Sequence, residues 1–160
     1  MDLGLSEKVA IVTASSKGLG FSIVENLLNE GCFVLMNGRD EESLEKAAGK
    51  LGESRNLRKF CGDITQKNIS KALVEYAVGE FGRLDILVTN CGGPDSGGFE
   101  GVSEDQWRQA IDRSLMSHVF LIDAAIPFLK SSSAPSILTV TSFTVKKPLQ
   151  NLILSKQSGL

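Results

Sequence analysis

Cysteine is scarce in this sequence: Cys32, Cys61 and Cys91 are the only three in 160 residues. They are odd in number, roughly thirty residues apart, and include no CxxC pair. That spacing supports neither a zinc site nor a disulfide framework, so they read as reduced thiols and no metal is expected. Neither sign of charge is in excess, with 17 Lys plus Arg against 19 Asp plus Glu and a formal net charge of -2. No basic stripe is left to bind a nucleic acid. No apolar run is long enough to span a bilayer, so no membrane partner is expected. The opening MDLGLSEKVA lacks the basic and apolar regions of a secretory leader, which predicts a cytoplasmic protein. Repeats, linkers and low-complexity tracts are absent apart from Ser131-Ser132-Ser133. The whole of 1–160 therefore reads as one domain, long enough to bury a core.

What the chain does have is glycine, 16 residues, and 42% hydrophobic residues. Short apolar runs alternate with longer helical patterns, as in repeated βαβ units, which predicts an α/β fold with a parallel sheet. Lys8–Thr13 is the first strand, and Leu19, Ile23, Val24, Leu27 and Leu28 mark one face of a helix that stops at Gly31. Cys32–Met36 is the second strand, Asp40–Leu51 a charged amphipathic helix, Leu57–Cys61 a third strand and Lys67–Phe81 a helix. Leu84–Thr89 is the fourth strand, followed by a loop, CGGPDSGGFEG, whose five glycines let backbone pass close to a ligand. Ser103-Glu104-Asp105-Gln106 forms a capping box that opens a long helix through Leu129, and Ser136–Val140 is the fifth strand.

Between the first strand and the first helix lies Thr13-Ala14-Ser15-Ser16-Lys17-Gly18-Leu19-Gly20. Bare backbone there lets a phosphate meet the amides of a helix N-terminus. No Gly-Lys-Ser/Thr follows, so a Walker loop is excluded, and GxGxxG is not matched. By itself the turn is also an ordinary tight βα connection. A second element stands at the end of strand two, Asn37-Gly38-Arg39-Asp40, where this fold meets the adenosine ribose. An acidic residue would accept bonds from a free ribose 2′-OH, whereas Arg39, with Lys17 nearby, pairs with a 2′-phosphate. That points to NADP over NAD. The competing reading makes Arg39 a solvated turn charge and Asp40 the cap of the next helix.

At this point the sequence resembles the short-chain dehydrogenase/reductase family. Thr13–Gly20 is similar to its TGxxxGxG turn, Cys61-Gly62-Asp63-Ile64 to its adenine-contacting strand end, and Thr89-Asn90-Cys91-Gly92 to its NNAG motif. Trp107 and the Thr141-Ser142 pair complete the set. The nearest types are the 3-oxoacyl-carrier-protein reductases and sugar dehydrogenases. The resemblance implies a Rossmann-type doubly wound sheet with strands in order 3-2-1-4-5, incomplete at the C-terminus. It assigns cofactor contacts to Thr13, Ser15, Ser16, Lys17, Gly18, Leu19, Gly20, Arg39, Asp63, Ile64, Asn90 and Gly92. It assigns to Ser142 a hydrogen bond to the carbonyl of a small-molecule substrate.

The chain also departs from that pattern. Ala14 stands where the family turn has its first glycine, and its methyl is tolerated only if φ stays negative there. Ser114 occupies the position of an Asn that holds a water in the family's proton relay, seven residues after Trp107. The family's Tyr, thirteen residues after Ser142, falls on Ser155, and its Lys falls on Gly159. The one tyrosine, Tyr76, is in the third helix. Lys156 lies about 100° round a helix from the required face, and a serine hydroxyl is a far weaker acid than a phenol. His118 lies one turn after Ser114, either sharing a face toward the site or packed against the sheet. Lys146 and Lys147 are cationic donors or solvated loop charges. Cys91 has nothing near it in sequence to lower its pKa.

Two functions are compatible with these residues. One is an NADP(H)-dependent oxidoreductase of small carbonyls or alcohols, with divergent catalytic positions at Ser142, Ser114 and Ser155. The other is a non-catalytic nucleotide-binding or interaction module on the same scaffold. An exposed fifth strand predicts association, with the 104–129 helix as the contact of a homo-oligomer.

Overall fold

The computed structural model describes residues 3–52, 54–93, 99–142 and 154. Five parallel strands form one sheet: β1 (Val9–Val12), β2 (Phe33–Gly38), β3 (Leu57–Cys61), β4 (Ile86–Thr89) and β5 (Ser136–Thr139). Their order is β3-β2-β1-β4-β5, as a doubly wound fold requires. The helices α1 (Gly18–Asn29), α2 (Glu41–Leu51), α3 (Lys67–Phe81), α4 (Glu104–Ile111) and α5 (Ser117–Leu129) connect them.

Every residue of β1 and β4 is buried, because side chains alternate between two covered faces. Val9 and Ile11 point into one cluster with Leu73 and Val74 of α3 and Leu121 and Ala125 of α5. Ala10 and Val12 point the other way, toward Val24 of α1 and Leu44 of α2. Each fully buried aliphatic side chain contributes on the order of 1.5–3 kcal/mol, so this double burial fixes the centre of the sheet. β5 lies at the edge, and all four of its residues are exposed.

The helix starts match their sequence signals. Asp40 caps α2 by accepting from the Ser43 N–H at 2.8 Å, and bonding from the Ser43 side chain and then its N–H holds the carboxyl below the usual carboxylate range. Ser103 and Gln106 form the reciprocal capping box of α4, at 3.3 and 2.9 Å. The expected single helix to Leu129 is interrupted by a π-helical turn, Asp112–Met116. Within and just after this wide turn, the Ser114 and Ser117 hydroxyls each donate to the carbonyl four residues back, both at 2.6 Å. Such back-bonding gives the widened backbone extra partners, and short π segments of this kind recur at functional sites.

Candidate functional site

The carboxyl ends of four strands are joined by neutral side chains. The Thr13 hydroxyl, just past β1, donates to the Asn90 carbonyl at 2.7 Å and accepts from the Asn90 N–H at 2.9 Å, fastening β1 to β4. Ser15 accepts from the Asn37 N–H at 3.0 Å, and its own N–H donates to the Asn37 carbonyl at 2.8 Å, fastening the turn to β2. The Asn37 amide donates to the Phe60 and Gly62 carbonyls at 3.0 and 3.1 Å, which extends the tie to β3. Asn90 closes the set by donating to the Ala14 carbonyl at 3.2 Å. Thr13, Ser15 and Asn37 are at most 1% exposed. Buried polar groups of this kind are costly unless paired, so the network holds one geometry.

In front of these ties the β1–α1 turn borders a cleft of about 300 Å³. Two glycines make the turn possible. Gly18 has φ +59, and a Cβ on Gly20 would meet the Ala14 oxygen at 2.5 Å. Ala14 corrects the sequence expectation. Its φ is +46, in the left-handed region, although it carries a methyl. The bonds made by Ser15 and Asn90 on either side hold it there, at a cost of roughly 1–2 kcal/mol.

Of the residues read from the sequence as cofactor contacts, Ser16, Lys17, Leu19, Arg39, Asp63 and Ile64 line this cleft, together with Asn90 and Gly92. Thr13 and Ser15 sit behind it as strand fasteners, and Gly18 and Gly20 shape the turn. Leu19 is 69% exposed at the mouth, an apolar surface open to a ligand. The cleft is also lined by Ala14, Asn37, Gly38, Thr65, Cys91 and Arg113, none of which was assigned a cofactor contact from the sequence. The signal for Arg113 was its place one residue before Ser114.

The electrostatics favour an anion. Lys17, Arg39 and Arg113 line the cleft, and none forms an ion pair among the described residues. The one lining carboxylate, Asp63, accepts from the Thr65 N–H and hydroxyl at 3.0 and 2.9 Å through the same oxygen. Lys17 stands at the N-cap of α1 without a side-chain capping bond, so the first amides of α1 keep their donors for a ligand. Burial raises the Cys91 thiol pKa, and the nearby Arg113 charge pulls it part of the way back. That is not the setting of a reactive thiolate.

The catalytic positions are less gathered. Ser142 is half-buried, three residues past β5, and does not line the cleft. Ser114 is buried, with its hydroxyl donating back to Ala110. His118 is buried too; desolvation lowers its pKa, and Nε2 has no hydrogen-bond partner among the described residues. Tyr76 packs its ring against Phe60, with centroids 5.7 Å apart, away from the cleft. Ser155, Lys146, Lys147, Lys156 and Gly159 lie outside the described residues.

A parallel doubly wound sheet, a tight glycine turn and a helix start without a side-chain cap beside a cationic cleft define a Rossmann-type nucleotide-binding fold. The chain belongs to the short chain dehydrogenase family, whose model matches residues 8–154. It is 30% identical over 96% of its length to YvrD, an uncharacterized oxidoreductase of Bacillus subtilis, and spans 58% of that relative. Among solved structures, L-sorbose reductase from Gluconobacter frateurii, complexed with NADPH and L-sorbose, superposes with a TM-score of 0.92 at 26% identity. The match covers 99% of this chain and 61% of the reductase. The 3-ketoacyl-(acyl-carrier-protein) reductase of Brucella melitensis, complexed with NADH, gives a TM-score of 0.90 at 25% identity, covering 97% of this chain and 65% of that one. The chain thus spans about three fifths of the length of these relatives. Among the described residues, no helix is long and apolar enough to cross a membrane.

Proposed function

We propose that this chain forms the NADP(H)-binding part of a short-chain oxidoreductase acting on a small carbonyl or alcohol in the cytoplasm. The observation that carries this reading is the end of β2. Arg39 lines the cleft there with Lys17 and has no carboxylate paired to it among the described residues, while the Asp40 carboxylate caps α2. A free ribose 2′-OH wants an acidic acceptor at this place, and a 2′-phosphate wants a cation. Ser16, the open α1 amides and Lys17 would hold the diphosphate, and Asp63, Ile64 and Asn90 the adenosine. Bound there, the cofactor supplies hydride chemistry. Ser142, beyond the carboxyl end of β5, would polarise a substrate carbonyl.

The test is titration with NADPH and NADH. NADPH is expected to bind more tightly, and Arg39→Ala to weaken NADPH by roughly tenfold or more while leaving NADH unchanged, as loss of one charge-assisted contact implies. Equal weakening of both would sink the NADP assignment. Turnover then separates enzyme from module: NADPH oxidation with ketones or quinones, abolished by Ser142→Ala, supports the oxidoreductase. A specific observation favours the second reading, a nucleotide-binding module without chemistry. Ser114, at the family's relay position, makes its hydroxyl bond to the carbonyl of its own helix. Tight NADPH binding without turnover selects that reading.

The rod formed by α4, the π turn and α5 exposes Ile111, Leu115, Val119 and Ile126 at about two-fifths of their surface. These recur at helical spacing, and we take them as the contact of a homo-oligomer. A monomer by light scattering would refute it.

A further inference from the structure

We propose that Arg113 reads the adenine base of the bound dinucleotide, its planar guanidinium forming one wall of the slot that holds the ring. The proposal rests on the dinucleotide reading above and adds to it a residue that carries the base rather than a phosphate. Arg113 comes from the π turn between α4 and α5, and its side chain reaches the cleft although its neighbour Ser114 turns into the helix. Arg113 lies inside the widened turn. An α-helical turn advances 100° per residue, and the inserted residue rotates the neighbouring side chains off that course.

Its position within the cleft argues for the base. The cations suited to phosphate, Lys17 and Arg39, are on the β1–β2 side with the open amides of α1. Arg113 lines the cleft together with Cys91, which follows β4, and leads into α5, which packs with α3 on one face of the sheet. Ile64, at the end of β3, is on that same face: it packs in one core cluster with Leu121, two helical turns on from Arg113. The cleft thus has an apolar Ile64 wall and a planar cation on the face away from the phosphate-binding turn. A flat heteroaromatic ring suits that pair, because apolar contact and guanidinium stacking both act on ring faces. Arg113 is half-buried and forms no ion pair or side-chain hydrogen bond among the described residues, so nothing there competes for its plane.

The two cationic roles separate with 5′-AMP and 2′,5′-ADP, titrated calorimetrically into the protein and its variants. Both fragments carry the base, and only the second carries a 2′-phosphate. Arg113→Gln and Arg113→Lys are each expected to weaken both fragments about equally, by roughly three- to tenfold, since Lys keeps the charge and loses the plane. Arg39→Ala is expected to weaken 2′,5′-ADP and spare 5′-AMP. Wild-type affinity in Arg113→Lys would mean a point charge suffices and would overturn the stacking role. Weakening confined to 2′,5′-ADP in Arg113→Gln would reassign Arg113 to the phosphate. Failure of the wild type to bind either fragment would overturn the dinucleotide reading and this inference together, whereas wild-type binding unaffected by both Arg113 variants would overturn this inference alone.

Discussion

At its amino end β4 is anchored through a buried charge, Asp85, and at its carboxyl end through the neutral groups of Thr13 and Asn90. Asp85 is wholly buried and accepts from the Val9 N–H at 3.0 Å, from Arg83 at 2.6 Å and from the Ser132 hydroxyl at 2.5 Å. It ties β4 to β1 and to the turn before β5, far from the cleft. The carboxyl-end ties link the same strands through hydroxyl and amide groups alone. The difference bears on function. A carboxylate in the carboxyl-end network would compete with a phosphate for Lys17 and Arg39, whereas neutral ties fix the turn and leave its cations to the ligand. At the amino end a locked charge does the fastening.

The largest expected effect comes from breaking the charged anchor. Asp85→Ala leaves the buried Val9 N–H without its side-chain acceptor and Arg83 and Ser132 without theirs, at a cost of about 3 kcal/mol. For a chain of this length that lowers Tm by roughly 6–12 °C. Dinucleotide affinity, measured well below the variant's Tm, is expected to hold, and a drop in affinity would break the distinction between the two ends. The anchor also has a pH signature. Burial pushes the Asp85 carboxyl up, but the bonds from Arg83, Ser132 and the Val9 N–H outweigh it and hold the pKa below the usual value. A carboxyl with a depressed folded pKa contributes stability that is present above its unfolded pKa of about 3.9 and is lost as pH falls through the folded value. Thermal melts below about pH 4 should therefore show a steeper acid loss in the wild type than in Asp85→Asn.

The same division governs how far each region could be read in advance. The strand order, the Asp40 cap and the Ser103 capping box were legible because periodicity and capping are local in sequence. The places of Lys17, Arg39 and Asp63 along the cleft were legible too, because they stand at strand ends in the chain. Asn37 is different. Its work depends on β1 and β3 lying on either side of β2, a matter of register that no stretch of sequence states. Thr13 and Ser15 were identified at the right turn, but their hydroxyls face neighbouring strands. The π turn was hidden as well, since Asp112–Met116 carries ordinary helix-compatible residues. With it Arg113 escaped notice, because nothing in the sequence of Asp112–Met116 marks which side chain meets the cleft.

The smallest expected effect sharpens the comparison at the carboxyl end, and it has the opposite sign. Ala14 is held at φ +46, where an L-residue is disfavoured by roughly 1–2 kcal/mol. Glycine adopts that conformation freely but loses more backbone entropy on folding, which returns part of the gain. Ala14→Gly is therefore expected to stabilise the protein by about 0.5–1 kcal/mol, a rise in Tm of roughly 1–4 °C. The Asn90 bond accepted by the Ala14 carbonyl is a backbone contact and survives the change. Removal of the methyl also widens the cleft where Ala14 lines it, so dinucleotide affinity should rise or hold. A fall in Tm would show that the neutral network leaves no strain at Ala14 to relieve. A rise in Tm with weakened binding would mean that the methyl itself contacts the ligand, and that the carboxyl-end ties hold Ala14 in a strained conformation because the ligand needs it there.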